Sequence, residues 1–238
     1  MPKYLNDQGQ GIEWTDYTWN PITGCLNDCP WCYARAMAHR FGWSFVPEFH
    51  PKRLEIGNVA SDFQSKNPNL PPGSAMIFVC SVSEICGPWV PMAWVWEILE
   101  VVKANPQHIF QVLTKNPKAL LSYRWPENAW VGASATDAQS LYHAYDVLAA
   151  LWASRRFISF EPLLSRIKAN ELEKWLVPAD WVIIGHQTGR GKKKPLADVQ
   201  QWATEIMKFA DSYGIPVLLK DSLGMEMRRE WPRKGVTP

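Results

Sequence analysis

From residue 75 onward, short apolar runs alternate with longer stretches whose apolar positions recur every three or four residues. The runs are 75–82 (AMIFVCSV), 108–115 (HIFQVLTK), 129–136 (AWVGASAT), 156–163 (RFISFEPL), 181–189 (WVIIGHQTG) and 215–222 (IPVLLKDS). Their length and their β-branched and aromatic content predict buried strands. The intervening periodicity predicts helices over 91–104, 117–123, 137–153, 168–176 and 196–213. Before this series, DYTWNP (16–21) reads as a first strand and PWCYARAMAHRF (30–41) as a helix. Residues 45–56 carry Pro47 and Pro51 and read as an irregular edge hairpin, because proline cannot donate to a central ladder. A Pro/Asn/Gly-rich loop over 66–74 follows.

Continuous apolar strands alternating with helices predict an α/β fold with a parallel, helix-covered sheet. Each strand ends in small or polar residues: Ser83 and Glu84, Thr114 and Lys115, Ser134 and Thr136, Glu161, His186 and Gln187, Lys220 and Asp221. In a barrel or open sheet of this class, chemistry collects at the strand C-termini. With no internal linker or repeat beyond the βα rhythm, one domain over 1–238 is expected.

Composition changes this picture little. Apolar residues make up 47% and charged residues 20%, enough for a sizeable core. The net charge of +2 argues no strong nucleic-acid field by itself. The polar N-terminus is not expected to be a secretory signal, and no apolar run is long enough to span a membrane. A cytoplasmic location follows as the default, in which clustered thiols stay reduced and serve as metal ligands or redox groups.

Such a cluster exists. Cys25, Cys29 and Cys32 stand in GCLNDCPWCYA (24–34), spaced C-x3-C-x2-C, with no fourth cysteine beside them. Structural zinc wants four ligands, and the fourth would have to come from His39, His50, Cys80 or Cys86. An iron–sulfur cubane wants four thiolates. Three would leave one iron open to a substrate or cofactor, as catalytic metal sites do.

The spacing, with Trp31 immediately before the last cysteine, resembles the signature of the radical S-adenosylmethionine (radical SAM) superfamily. The stretches EWTDYTWNPITGC, CPWCYA, FVCSVSE and WVIIG resemble a small phage and prophage branch of that superfamily. The resemblance implies a partial (β/α)6 barrel with an added N-terminal hairpin and C-terminal strand. It implies a [4Fe–4S] cluster on Cys25, Cys29 and Cys32, with S-adenosylmethionine chelating the open iron. It further implies an external one-electron donor, flavodoxin-like in the cell or dithionite in vitro, whose electron cleaves the sulfonium to a 5′-deoxyadenosyl radical. If the gene is phage-borne, the location is the bacterial host's cytoplasm.

On that frame Trp31 falls on the cofactor side, and Ser83 and Glu84 stand where the superfamily keeps a Gly-Gly-Glu-like stretch, here without its glycines. Lys115 is placed for the methionine carboxylate, Ser134 and Thr136 for the ribose, Glu161 for ribose or substrate, and His186 for adenine. Ser134 and Thr136 equally suit a helix cap, Lys115 a solvated loop and Glu161 a turn. Cys80 reads as a core residue, and Cys86 as a candidate hydrogen donor.

The loop TGRGKKKP (188–195) brings Arg190, Lys192, Lys193 and Lys194 to the same end and suits a phosphate. His50, Lys52, Arg53, Arg228, Arg229, Arg233 and Lys234 could add to it, and Trp43, Trp89, Trp125 and Trp231 could stack on bases. The expected substrate is a nucleobase, in a nucleotide or in DNA, such as a modified thymine that is rearranged or repaired. A peptide or small metabolite is the alternative substrate. A zinc- or cluster-stabilised binding protein without turnover is the alternative of another class. Whether the chain acts as monomer or dimer stays open.

Overall fold

The computed structural model describes residues 3–9, 11–189 and 191–233. Three short strands, β1 (Leu5–Asp7), β2 (Tyr17–Trp19) and β3 (Ile22–Thr23), precede helix α1 (Tyr33–Phe41) and strand β4 (Glu48–Phe49). The regular series follows: β5 (Met76–Val79), α2 (Met92–Ala104), β6 (Ile109–Thr114), β7 (Ala129–Ser134), α3 (Ala138–Leu148) and β8 (Arg155–Phe160). It ends with α4 (Ala169–Trp175), β9 (Trp181–Ile184), α5 (Leu196–Ser212) and β10 (Val217–Leu219). The sheet order is β1-β2-β5-β6-β7-β8-β9-β10. All pairs from β2 to β10 are parallel, and β1 lies antiparallel on β2. This is the partial (β/α)6 arrangement, with β10 as the added C-terminal strand.

Three local expectations change. Residues 45–56 do not fold back on themselves: β4 pairs antiparallel with β3, across the cysteine loop and α1. Pro51 instead starts a 3₁₀ turn over Pro51–Leu54, which its fixed φ favours. Residues Pro117–Ser122 are 3₁₀ rather than α. Strand β1 went unread because only Leu5 of its three residues is buried, too short an alternation to register.

The parity of the strands sorts two apolar layers. Residues of one parity, such as Ile77, Val79, Val131, Ile158 and Val182, pack outward with helix residues such as Val95, Ala203 and Ile206. The other parity brings Met76, Phe78, Trp130, Phe157, Trp181 and Leu218 together inside the curved sheet, with Trp14 among them. Ring centroids there are 4.5 Å apart for Trp14–Phe78, 5.9 Å for Trp130–Trp181 and 5.6 Å for Phe157–Trp181. The aromatic layer plugs the barrel below its C-terminal mouth. Going up the strands at the same parity, the plug gives way to polar residues: Ser134 on β7, Ser159 on β8, then Glu161 and Lys220 just beyond β8 and β10.

Candidate functional site

The cysteine loop runs from β3 to α1 and is tied down at both ends. Gly24 forms a parallel bridge with Ser83, just beyond β5, and Ser83 Oγ donates to the Gly24 carbonyl at 2.7 Å. The Cys25 amide donates to Phe45 O at 3.0 Å, and the Cys32 amide to Cys29 O at 3.1 Å. Two thiols already accept amide hydrogens: Asn27 N on Cys25 Sγ at 3.4 Å and Arg35 N on Cys32 Sγ at 3.3 Å. Cys32 thereby caps α1 at its N-terminus, while Gly42 closes the other end at φ 68°.

All three cysteines are free and half-buried. Burial pushes the Cys25 thiol up from its ordinary value, against the Asn27 amide that favours the thiolate. Burial likewise raises Cys29, with Lys115 opposing. Among the described residues, no three Cys, His, Asp or Glu side chains gather closely enough to hold a single metal ion. A polynuclear cluster makes a different demand, since each of its irons takes one thiolate.

The three cysteines share the wall of a cavity of about 400 Å³ at the C-terminal mouth of the barrel. That is within the usual size range for a small-ligand site. Trp14 and Phe78 of the aromatic plug form part of its lining. The loop after β9 closes the side facing the cysteines. A Cβ on Gly189 would lie 2.1 Å from the Trp31 carbonyl oxygen, so only glycine allows this backbone approach. His186 anchors the same loop, its Nε2 lying 3.0 Å from Lys194 O and its amide donating to Ser222 Oγ at 3.0 Å.

Of the expected site residues, Trp31, Ser83, Glu84, Lys115, Ser134, Glu161 and His186 also line this cavity. Glu84 is nearly buried, and its carboxylate accepts from Thr114 Oγ1 at 2.5 Å, Lys115 N at 2.9 Å and Cys86 N at 3.3 Å. It therefore splints the ends of β5 and β6 from inside the cavity wall. Thr136 does not reach the lining. Its amide donates to Ser140 Oγ at 2.8 Å and its hydroxyl to Asp137 Oδ2 at 3.4 Å, in the capping box of α3.

Cys86 stands apart from these residues. It is 2% exposed, does not line the cavity, and burial drives its thiol well above the ordinary value. It is packed in the core. Lys192 is exposed and outside the lining, and Arg190 lies outside the described residues, as does Lys234. Arg53 serves structure, donating to Asn20 O at 2.9 Å. His50 is bound to Thr23 Oγ1 at 2.8 Å. Arg228 is paired with Asp211 and Glu230, and Arg229 with Asp221. Trp125 is buried, Trp89 and Trp231 are partly buried against the core, and Trp43 alone of that quartet is exposed.

Other residues in or beside the cavity had no assigned role from the sequence, although Lys220 stands among the strand-end polar residues noted there. Lys220 forms ion pairs with Glu161 and, at 3.4 Å, with Glu13. Burial works against its charge, yet the two carboxylates outweigh burial and hold it above the ordinary lysine value. Glu13 also accepts from the Asp221 amide at 3.1 Å. Ser159 Oγ and Trp14 Nε1 are buried in the cavity wall and have no hydrogen-bond partner among the described residues. Ser159 was findable, since it stands two positions before Glu161 and shares its face. Glu13 gave no such signal, because only the fold brings it to β10.

A family model described as "Protein of unknown function (DUF5131)" matches residues 9–234. Among curated proteins none matches. Among solved structures, spore photoproduct lyase complexed with dinucleoside spore photoproduct is similar at a TM-score of 0.58 and 10% identity, covering 91% of this chain and 78% of that one. A double mutant of the same lyase, with bound AdoMet and dinucleoside spore photoproduct, is similar at 0.55 and 12%, with the same coverage. At these identities the likeness establishes the fold alone, an α/β partial barrel similar to that of the lyase.

Proposed function

The chain belongs to the DUF5131 family, and for it we propose radical SAM chemistry on a nucleobase, in a nucleotide or in DNA. One observation carries the proposal: three free thiols spaced C-x3-C-x2-C line the cavity at the C-terminal mouth of a barrel similar to that of a radical SAM enzyme. The donor set fits a [4Fe–4S] cluster with one iron left open, and Ser159 Oγ and Trp14 Nε1 are polar groups in want of a ligand. When bound, cluster and S-adenosylmethionine supply one-electron cleavage of the sulfonium and a carbon radical that removes hydrogen from the substrate.

The protein's part is holding, orienting and excluding water. Cys25, Cys29 and Cys32 would hold the cluster, with the Gly189 loop pressed on the backbone of Trp31. Ser83, Glu84 and Lys115 form one polar side of the cavity and Ser134, Ser159, Glu161 and His186 another, suited to amino, carboxylate and hydroxyl groups of the cofactor. Lys220 keeps Glu161 in place. The aromatic plug closes the bottom against water. A base-type substrate is supported by the dinucleoside in the solved neighbours and by the lysines of the Gly189 loop. A lyase or an isomerase is the reaction class, served by an external electron donor.

The test is anaerobic reconstitution with iron and sulfide, then dithionite and S-adenosylmethionine, assayed for 5′-deoxyadenosine. Formation by the native chain and its loss in Cys29→Ala is the expected result. A fully assembled cluster that never cleaves the cofactor, with or without thymine nucleotides and DNA, overturns the proposal.

A further inference from the structure

Helix α1 is built inside out. It turns only Ala34 and Ala38 into the core, while Met37 and Phe41, one helical turn apart, are exposed and Tyr33, one turn before them, is partly exposed beside the cavity. Phe41 is 54% exposed and Trp43 57%, and the two rings stack on each other, centroids 5.2 Å apart at 24°. Val46, and Leu26 within the cysteine loop, are also exposed apolar residues, at 67% and 55%. Scattered exposed apolar residues need no explanation, but a contiguous stripe with a ready-stacked aromatic pair marks a contact surface.

The charge around the stripe has one sign for the most part. Helix α1 carries Arg35, His39 and Arg40 and no acidic residue. The Arg40 guanidinium sits 5.3 Å from the Phe41 ring centroid. Arg35 is engaged by Asp28 at 3.6 Å, whereas Lys192, Lys193 and Lys194 are exposed. The loop that carries them reaches the turn just before α1, where Gly189 abuts Trp31 O and Gly191 approaches Pro30 O. Tyr33, the first residue of the stripe, also lines the cavity, with its hydroxyl donating to Ser81 O. The stripe therefore leads away from the cavity itself.

We propose that this face of α1 seats a DNA strand, with bases stacked on Phe41 and Trp43 and phosphates met by Arg40 and the 192–194 lysines. It deepens the nucleobase reading above and rests on it. Flat rings with a cationic edge offer a sequence-tolerant platform for bases, and clustered cations offer one for the backbone. The strand so held would carry its target base toward the cavity at Tyr33, unstacked from its neighbours.

Fluorescence anisotropy of the full chain with a labelled thymine-rich oligonucleotide, as single strand and as duplex, tests this. Phe41→Ala/Trp43→Ala is expected to weaken binding roughly tenfold or more without flattening its salt dependence. Lys192→Ala/Lys193→Ala/Lys194→Ala is expected to weaken binding and flatten the salt slope. All five residues are exposed, so circular dichroism should be unchanged. Native affinity in the aromatic variant, or no DNA binding by the native chain, overturns the inference. So does an aromatic variant with intact DNA binding that is reduced slowly by a flavodoxin-type donor yet normally by dithionite, since the face then belongs to a protein. Loss of affinity in the aromatic variant supports the seat whatever the 5′-deoxyadenosine assay returns, so failure of one reading is told apart from failure of the other.

Discussion

At the scale of the residue, Lys220 shows how the cavity is held together. Its ammonium lies between Glu13 and Glu161, and its side chain is 12% exposed. Lys220→Met would leave two carboxylates facing each other without a cation. The expected loss is about 2–3 kcal/mol in urea unfolding, below the roughly 3–5 kcal/mol of a fully buried pair because Glu161 keeps some water. The pH sign follows from the raised lysine value. The stabilisation is complete below the unfolded lysine value of about 10.4 and fades as pH rises through the higher folded one. The native chain should therefore lose stability on the alkaline side more steeply than the Met variant. Cys86→Ala separates a core thiol from a catalytic one. It should cost about 1–2 kcal/mol of stability and leave 5′-deoxyadenosine formation at the native level.

At the scale of the element, the cysteine loop depends on its neighbours more than on itself. Helix α1 begins on a thiol cap and ends on Gly42 at positive φ, where an added Cβ would meet nothing within 4 Å. Gly42→Ala should therefore cost about 1 kcal/mol through backbone strain alone, read as a lowered urea midpoint with an unchanged slope. Gly189→Ala is a different kind of change, because its Cβ meets the Trp31 backbone and pushes two loops apart. Its expected signature is reduced iron–sulfur loading in reconstitution, followed by visible absorption, with far-UV circular dichroism preserved. Normal loading would mean that the loop after β9 does not support the cysteine loop.

At the scale of the whole molecule, the barrel divides into a dry half and a polar half. Trp130, Phe157, Trp181 and Trp14 fill the lower half, and the cavity opens above them. Trp181→Ala should cost about 3–5 kcal/mol, the range for emptying an aromatic core position, measured by chemical unfolding. The sheet is nearly all parallel and buried on both faces, and that is why its strands read as continuous apolar runs.

That character made the architecture legible. Apolar runs of eight or nine residues named β5 to β9 within a few positions, and C-x3-C-x2-C named the cysteine loop, because strand burial and ligand spacing are local properties of a chain. Alternation along β8 even predicts that Ser159 and Glu161 share a face. What only the tertiary structure decided were meetings between residues far apart in the chain. Glu13 reached Lys220, Gly189 reached Trp31, Thr136 turned into a helix cap, and Cys86 was sealed in the core. Each is the result of where strand ends are set side by side by register and twist, a quantity that no single stretch of sequence carries.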